Sequence, residues 1–350
     1  MKIFHCDCCG ALVFFENVAC LKCNHPLGFL PVPAEITAFE PDANGTFRAL
    51  APGQAHQFYR QCENGQRHQV CNWMVSVNDN DSFCLSCRLN DLIPDLSVPE
   101  NLGRWHNLEK AKRRILYTIM RLGLPVDGND RPPLRFKLVC DVPGHAPILT
   151  GHLNGVITLN VIEADDPERE RRRVNLHEPY RTLLGHIRHE VAHFYWDRLI
   201  ANSHWLQGFR KLFGNETADY AAALKSHYEQ GAPADWQDRH VSAYASSHPW
   251  EDWAETWAHY FHIIDMAETA AGFGMTLSPK HPAASAMSAA PQNSAPVNTD
   301  FDALLENWFP LTYALNSLNR GMGLPDAYPF VLSSTAIEKL RFIHEVCTHK

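Results

Sequence analysis

The run His189-Glu190-Val191-Ala192-His193 places two histidines four residues apart with a carboxylate between them. On a helix, positions four apart share a face about one turn apart, so both rings can hold one ion. Glu190 then projects beside that ion, where a carboxylate can take a proton from a bound water. This is zinc-peptidase chemistry, provided that the segment is helical and that a third ligand exists. The plain alternative is a core helix that carries several of the chain's 20 histidines.

A metzincin would continue with Gly and then His after the second histidine, but Trp196 and Leu199 stand there, which excludes that subclass. The common remaining solution is a Glu delivered by a later helix, with the fourth position open for water. Farther along, Ser246, Ser247 and Pro249 form a helix-start signal. Trp250, Trp253, Ala254, Trp257, Ala258 and Phe261 then repeat at helical spacing. Glu251 and Glu255 share a face with His259 and His262 beside that aromatic wall. Two carboxylates there are costly to bury unless something positive faces them, and a zinc ion with the ring N–H of a ligand histidine would do so. Either Glu251, with Glu255 behind it, or Glu255 with His259 satisfies the spacing.

Eleven cysteines form a second set of candidate ligands. Cys6-x-x-Cys9 and Cys20-x-x-Cys23 are paired knuckles, and Cys62, Cys71 and Cys84-x-x-Cys87 follow. Each C-x-x-C turn aims two thiolates at one ion, so two half-sites per ion give two zinc sites of four cysteines each. Spacing leaves the pairing order open, including a crossed set of Cys6, Cys9, Cys62 and Cys71. Cys8 could replace Cys6, while Cys140 and Cys347 read as buried small hydrophobes. A disulfide framework is the rival reading. Against it, the chain enters the first knuckle by residue 6 with no apolar leader, and no run is long enough to cross a bilayer. The expectation is a cytoplasmic protein with reduced thiols and no membrane association. A net charge of −8 and few Lys or Arg in the first hundred residues argue against a nucleic-acid surface. A zinc ribbon here would be a structural cap or a recognition surface for a protein partner.

The elements that must position these groups follow from pattern. A length of 350 residues with 45% hydrophobic residues predicts two domains with a real core, divided near Ser97–Glu100 into 1–98 and 99–350. The stripe Leu183, Leu184, Ile187, Val191 and Phe194 predicts the first metal-bearing helix, with Glu178 and Pro179 at its start. An amphipathic helix is expected over 108–122, a strand over 134–142, and an Asn154-Gly155 turn followed by a strand over 153–160. Residues 204–230 read as helical, the four-arginine run 168–173 as a solvated loop, and the Ala/Ser/Pro-rich 278–298 as a flexible loop. Residues 300–350 read as a C-terminal helical region, with a helix over 336–346.

The chain resembles bacterial zinc-binding metallopeptidases that carry an N-terminal zinc ribbon. The resemblance rests on His189–His193 and on Trp250-Glu251-Asp252-Trp253-Ala254-Glu255-Thr256-Trp257-Ala258-His259-Tyr260. It extends to Phe4-His5-Cys6, Phe15-Glu16-Asn17, Cys71-Asn72-Trp73 and Ile93-Pro94-Asp95-Leu96. More distantly, the spacing of Tyr244, Glu251 and Glu255 is similar to that of lethal-factor-like zincins. The resemblance implies an α+β fold, a zincin-like, mostly helical domain with a small sheet behind a β-rich ribbon. It implies one catalytic zinc on His189, His193 and Glu251, with Glu190 as general base. Glu255 would support a ligand from behind, and Tyr244 would face the reacting carbonyl. It also favours sequential cysteine pairing: Cys6, Cys9, Cys20 and Cys23 on one structural zinc, and Cys62, Cys71, Cys84 and Cys87 on the other. A sheet edge beside the cleft would pair with an extended peptide substrate. The competing readings are a ribbon-type binding or regulatory protein with a latent peptidase site, and a nucleic-acid-associated metalloprotease.

Overall fold

The computed structural model describes residues 2–54, 56–128, 131–141, 144, 146, 148–175, 181–292 and 299–349. The start signals Glu178 and Pro179, the strand end Val142 and residues 293–298 of the expected loop lie outside the described residues.

The N-terminal region is made of short strands. β1 (Phe4–His5) and β2 (Leu12–Val13) pair around the first cysteine knuckle. β3 (Leu27–Leu30), β4 (Glu35–Pro41), β5 (Phe47–Ala49), β6 (Phe58–Gln61) and, beyond helix α1 (Glu63–His68), β7 (Met74–Ser76) form an antiparallel meander in that order. β8 (Asn90–Leu92) leaves this region and joins a second sheet.

The chain then enters α2 (Pro99–Arg121), which begins nine residues before the expected Leu108. Pro99 explains the earlier start. A proline at the first helical position loses no hydrogen bond and brings φ preset, while Trp105 buries nearly two turns later. β9 (Arg135–Val139), β10 (Gly151–Leu153) and β11 (Val156–Asn160) complete the second sheet in the order β10-β11-β9-β8. β8, β9 and β11 are parallel, and β10 is an antiparallel edge strand. The β10–β11 hairpin turns at Asn154 (φ 49°) and Gly155 (φ 83°), the two left-handed positions a tight hairpin needs.

The run 168–173 is not a loop but part of helix α3 (Asp166–Asn175). Its acids and arginines fall three and four apart and pair: Arg169 with Asp166, Arg171 and Arg172 with Glu168, Arg173 with Glu170. Such pairs each contribute about 0.2–0.5 kcal/mol and offset the lack of an apolar stripe. Helix α4 (Leu183–Tyr195) follows. Residues 204–230 form two helices, α5 (Leu206–Phe213) and α6 (Tyr220–Gln230), separated at Gly214, whose φ of 105° no helix accommodates. The short α7 (Trp236–Arg239) leads to the long α8 (Pro249–Gly272). In the 278–292 part of the expected loop, Pro282–Met287 form a 3-10 turn and Leu277 bridges Ala289. α9 (Phe301–Gly321) and α10 (Ser334–Thr348) close the chain.

The result is a mixed fold, a β-rich N-terminal region followed by a mostly helical one. α4 lies between α8 and α2. One core runs through both regions, since Phe15 and Phe29 of the strand-rich part meet Tyr117 of α2 at ring separations of 5.7 and 6.3 Å. The same cluster continues through Tyr195, Trp253 and Trp257.

Candidate active site and metal centres

Two helix starts place the acid and the imidazoles. Thr182 caps α4, its hydroxyl accepting from the Gly185 N–H at 3.0 Å. The His248 ring caps α8 by accepting from the Trp250 N–H at 3.1 Å, with Pro249 in the first turn. Register between the two helices is fixed by Trp253, whose indole N–H donates to the Ala192 carbonyl at 2.8 Å.

With the helices so crossed, His189, His193 and Glu251 converge, each buried and each offering one ligand atom within 4.8 Å of the others. His189 Nε2 and His193 Nε2 are 3.2 Å apart, and Glu251 lies 2.9 Å from the first and 3.6 Å from the second. Ligands held about 2.0–2.1 Å from a tetrahedral ion sit roughly 3.3 Å from one another, so the spacing suits zinc. Glu251 Oε2 is buried and, although 2.9 Å from His189 Nε2, makes no hydrogen bond, an expensive state for a carboxylate unless a cation faces it. Two imidazoles and one carboxylate are also a donor set that zinc favours.

Glu255 takes a different position. Its Oε1 lies 2.7 Å from His189 Nδ1, and Ser242 donates to its other oxygen at 2.7 Å. A carboxylate on Nδ1 fixes the tautomer that leaves Nε2 free. The alternative of Glu255 with His259 does not occur in this geometry. His259 is tied to the Tyr328 hydroxyl at 2.6 Å, and His262 contacts Arg188 at 2.8 Å. Burial disfavours the charged ring of His189, but Glu251 and Glu255 outweigh it and hold its pKa well above the ordinary value. Burial likewise raises Glu190, and His186, His189 and His193 together bring it below its ordinary value.

The Tyr244 ring lies 6.0 Å from that of His189, and burial and then Glu251 push its phenol upward. Its hydroxyl makes no hydrogen bond among the described residues, so it is free to donate. Several neighbours carry no signal in sequence. Tyr220 of α6 donates to Glu251 Oε1 at 2.7 Å, and Trp250 lies tilted against His193 with centroids 3.9 Å apart. Trp250 belongs to the apolar stripe and so reads as core, while Tyr220 reaches the site only through the fold. His186 is four residues before Glu190, and that spacing alone could have flagged it.

The cysteines gather into two sets. Cys6, Cys9, Cys20 and Cys23 converge in one, and Cys62, Cys71, Cys84 and Cys87 in the other. Closest sulfur separations are 3.6 Å in both, far beyond the roughly 2.05 Å of a disulfide and near the roughly 3.8 Å expected around zinc. Backbone N–H groups of Cys23 and Lys22 lower the Cys20 thiol to about 6. The second set is buried beside α2, where the charge of the buried Arg113 faces Cys71 and Cys87. Cys8 is exposed, and its sulfur lies near Cys23 and His25.

Among the described residues, no helix is long and apolar enough to cross a membrane. Two sequence families match the chain: "putative zinc-binding metallo-peptidase" over residues 101–346 and a zinc-ribbon domain over residues 3–98. Uncharacterized proteins of Mycobacterium bovis and Mycobacterium tuberculosis are 42% identical to it, over 99% of this chain and 95% of theirs. No solved structure gives a significant match. Zinc is thus supported by both families and by the gathered cysteines. The chain belongs to the zinc-binding metallopeptidase family and carries a zinc-ribbon domain ahead of its peptidase region.

Proposed function

We propose that the protein hydrolyses peptide bonds with a zinc ion held by His189, His193 and Glu251. The observation that carries this reading is the convergence of those three buried ligand atoms with Glu255 on the far nitrogen of His189. Zinc bound there acidifies a water and polarises the scissile carbonyl. Glu190, one residue from a ligand, takes the proton of the attacking water and later returns it to the leaving amine. Tyr244 donates its hydroxyl hydrogen to the oxygen on which negative charge develops. Glu255 and Ser242 orient His189, and Tyr220 orients Glu251. In this reading the edge strand β10 pairs with an extended substrate backbone.

In this reading residues 1–98 form the ribbon and 99–350 the peptidase domain. Each cysteine set holds one structural zinc, for three ions per chain in a reducing, cytoplasmic setting. The substrate is a peptide or protein, and the ribbon is a candidate surface for a protein partner.

Glu190→Gln tests the mechanism. It should retain all bound zinc by elemental analysis and lose hydrolysis in a proteome-wide cleavage screen, since only the proton acceptor changes. General-base catalysis contributes about 10²–10⁴-fold, so residual activity above about one percent would assign the proton to another group.

A further inference from the structure

Beside the zinc ligands runs a chain of charges that zinc binding does not use. Glu163, in the turn just after β11, is a carboxylate only 4% exposed. Arg172 of α3 reaches it at 2.5 Å, Arg181 at 3.4 Å and His186 Nδ1 at 3.6 Å. Arg172 is itself held by Glu168 at 2.9 Å. The other nitrogen of His186 faces Glu190 Oε1 at 3.4 Å. Among the described residues, His186 is the one basic group within ion-pair distance of the Glu190 carboxylate.

We propose that His186 is a positioning residue, which, anchored by Glu163 with Arg172 and Arg181, fixes the orientation of the Glu190 carboxylate. The inference rests on the reading of Glu190 as proton acceptor. A glutamate side chain has three rotatable bonds, and a general base works only within about 2.6–3.2 Å of its proton. A displacement of about 1 Å can cost on the order of 10²-fold in rate. Helical geometry alone brings residue 186 onto the face of residue 190, but it does not fix the ring. Glu163, 3.6 Å from Nδ1, sets a carboxylate against that nitrogen and leaves Nε2 toward Glu190 Oε1. Two arginines already balance the buried Glu163 charge, so stability alone does not call for a third cation between two carboxylates. The side chain of His186 is 22% exposed, so it is not sealed in the core.

The test uses the zinc-loaded full chain labelled with ¹⁵N-histidine, with the His186 ring signals identified by their loss in His186→Gln and, should that variant not fold, in His186→Asn. Glu190→Gln and Glu163→Gln should each shift the His186 ring nitrogens, whereas Arg171→Gln, on the exposed side of α3, should not. His186 signals that stay in place in Glu190→Gln overturn the proposal, whether or not the protein cleaves anything. On a peptide that the wild type cleaves, His186→Leu should lower kcat about 10–100-fold, with KM and zinc content unchanged and partial recovery in His186→Gln. A raised KM with unchanged kcat would make His186 a substrate contact and overturn positioning. A wild type without turnover, but with coupled His186 and Glu190 signals, would count against the peptidase reading alone.

Discussion

His189 lies between two carboxylates, with Glu251 at its Nε2 and Glu255 at its Nδ1, and the proposed function gives them separate tasks. If zinc sits on the proposed ligands, removing Glu251 takes away one of three protein bonds to it, so Glu251→Ala should purify with one zinc fewer than wild type. Removing Glu255 leaves those bonds in place and should cost about 10–100-fold in zinc affinity or turnover. Elemental analysis of both variants under zinc-replete conditions separates them. The reverse pattern would move the ligand one helical turn along α8. The HExxH spacing was legible at this scale because two histidines four apart are a local property of one helix. Which Glu meets both imidazoles was not, because it depends on how α8 is rotated against α4. Tyr220 had no local signal of any kind.

At the scale of elements, the β10–β11 hairpin carries the sheet edge. Gly155 has a φ of 83°, and a Cβ there would lie 2.8 Å from the Pro133 carbonyl oxygen. Gly155→Ala should therefore destabilise the protein by about 1–3 kcal/mol, read from urea or thermal unfolding. An unchanged midpoint would mean that the turn relaxes at no cost. The His186 contacts tie α4, α3 and the end of β11 together, and they titrate. Burial disfavours the charged ring, but Glu163 and Glu190 outweigh it and raise its pKa from 6.5 to about 9. A group raised on folding stabilises fully below its unfolded pKa and loses that contribution as pH rises through the folded one. The Tm advantage of wild type over His186→Gln should thus be full below pH 6.5 and shrink as pH approaches about 9. A difference independent of pH would show that the contact is not ionic. The loop expected over 168–173 became a helix because its charges pair along the helix surface, which a count of arginines does not reveal.

For the whole molecule, the shared core has a consequence. Phe15 and Phe29 pack on Tyr117, whose hydroxyl donates to Glu268 of α8 at 3.0 Å, and Thr118 donates to Asp265 at 2.6 Å. β8 also pairs into the second sheet. The zinc-loaded chain should unfold in one thermal transition by calorimetry, and Cys84→Ser should lose one zinc and lower that single transition. Two separable transitions would mean that the strand-rich region and the helical region are energetically independent despite their contacts.

The sequence by itself determined the pieces whose logic is local: the histidine pair on one helix face, the C-x-x-C knuckles, the Asn-Gly turn and the aromatic stripe of α8. These depend on helical period, turn geometry and ligand spacing over a few residues. The order of a β-rich region before a mostly helical one came from the resemblance to ribbon-bearing metallopeptidases, not from periodicity. Only the tertiary structure decided which cysteine pairs meet, that Glu251 rather than Glu255 faces both Nε2 atoms, and that Tyr220, Ser242 and the Glu163–His186 pair surround the site. Those contacts join residues tens of positions apart. They are fixed by how buried aromatic faces such as Trp253 and Tyr117 lock helix against helix, which no short window of sequence encodes.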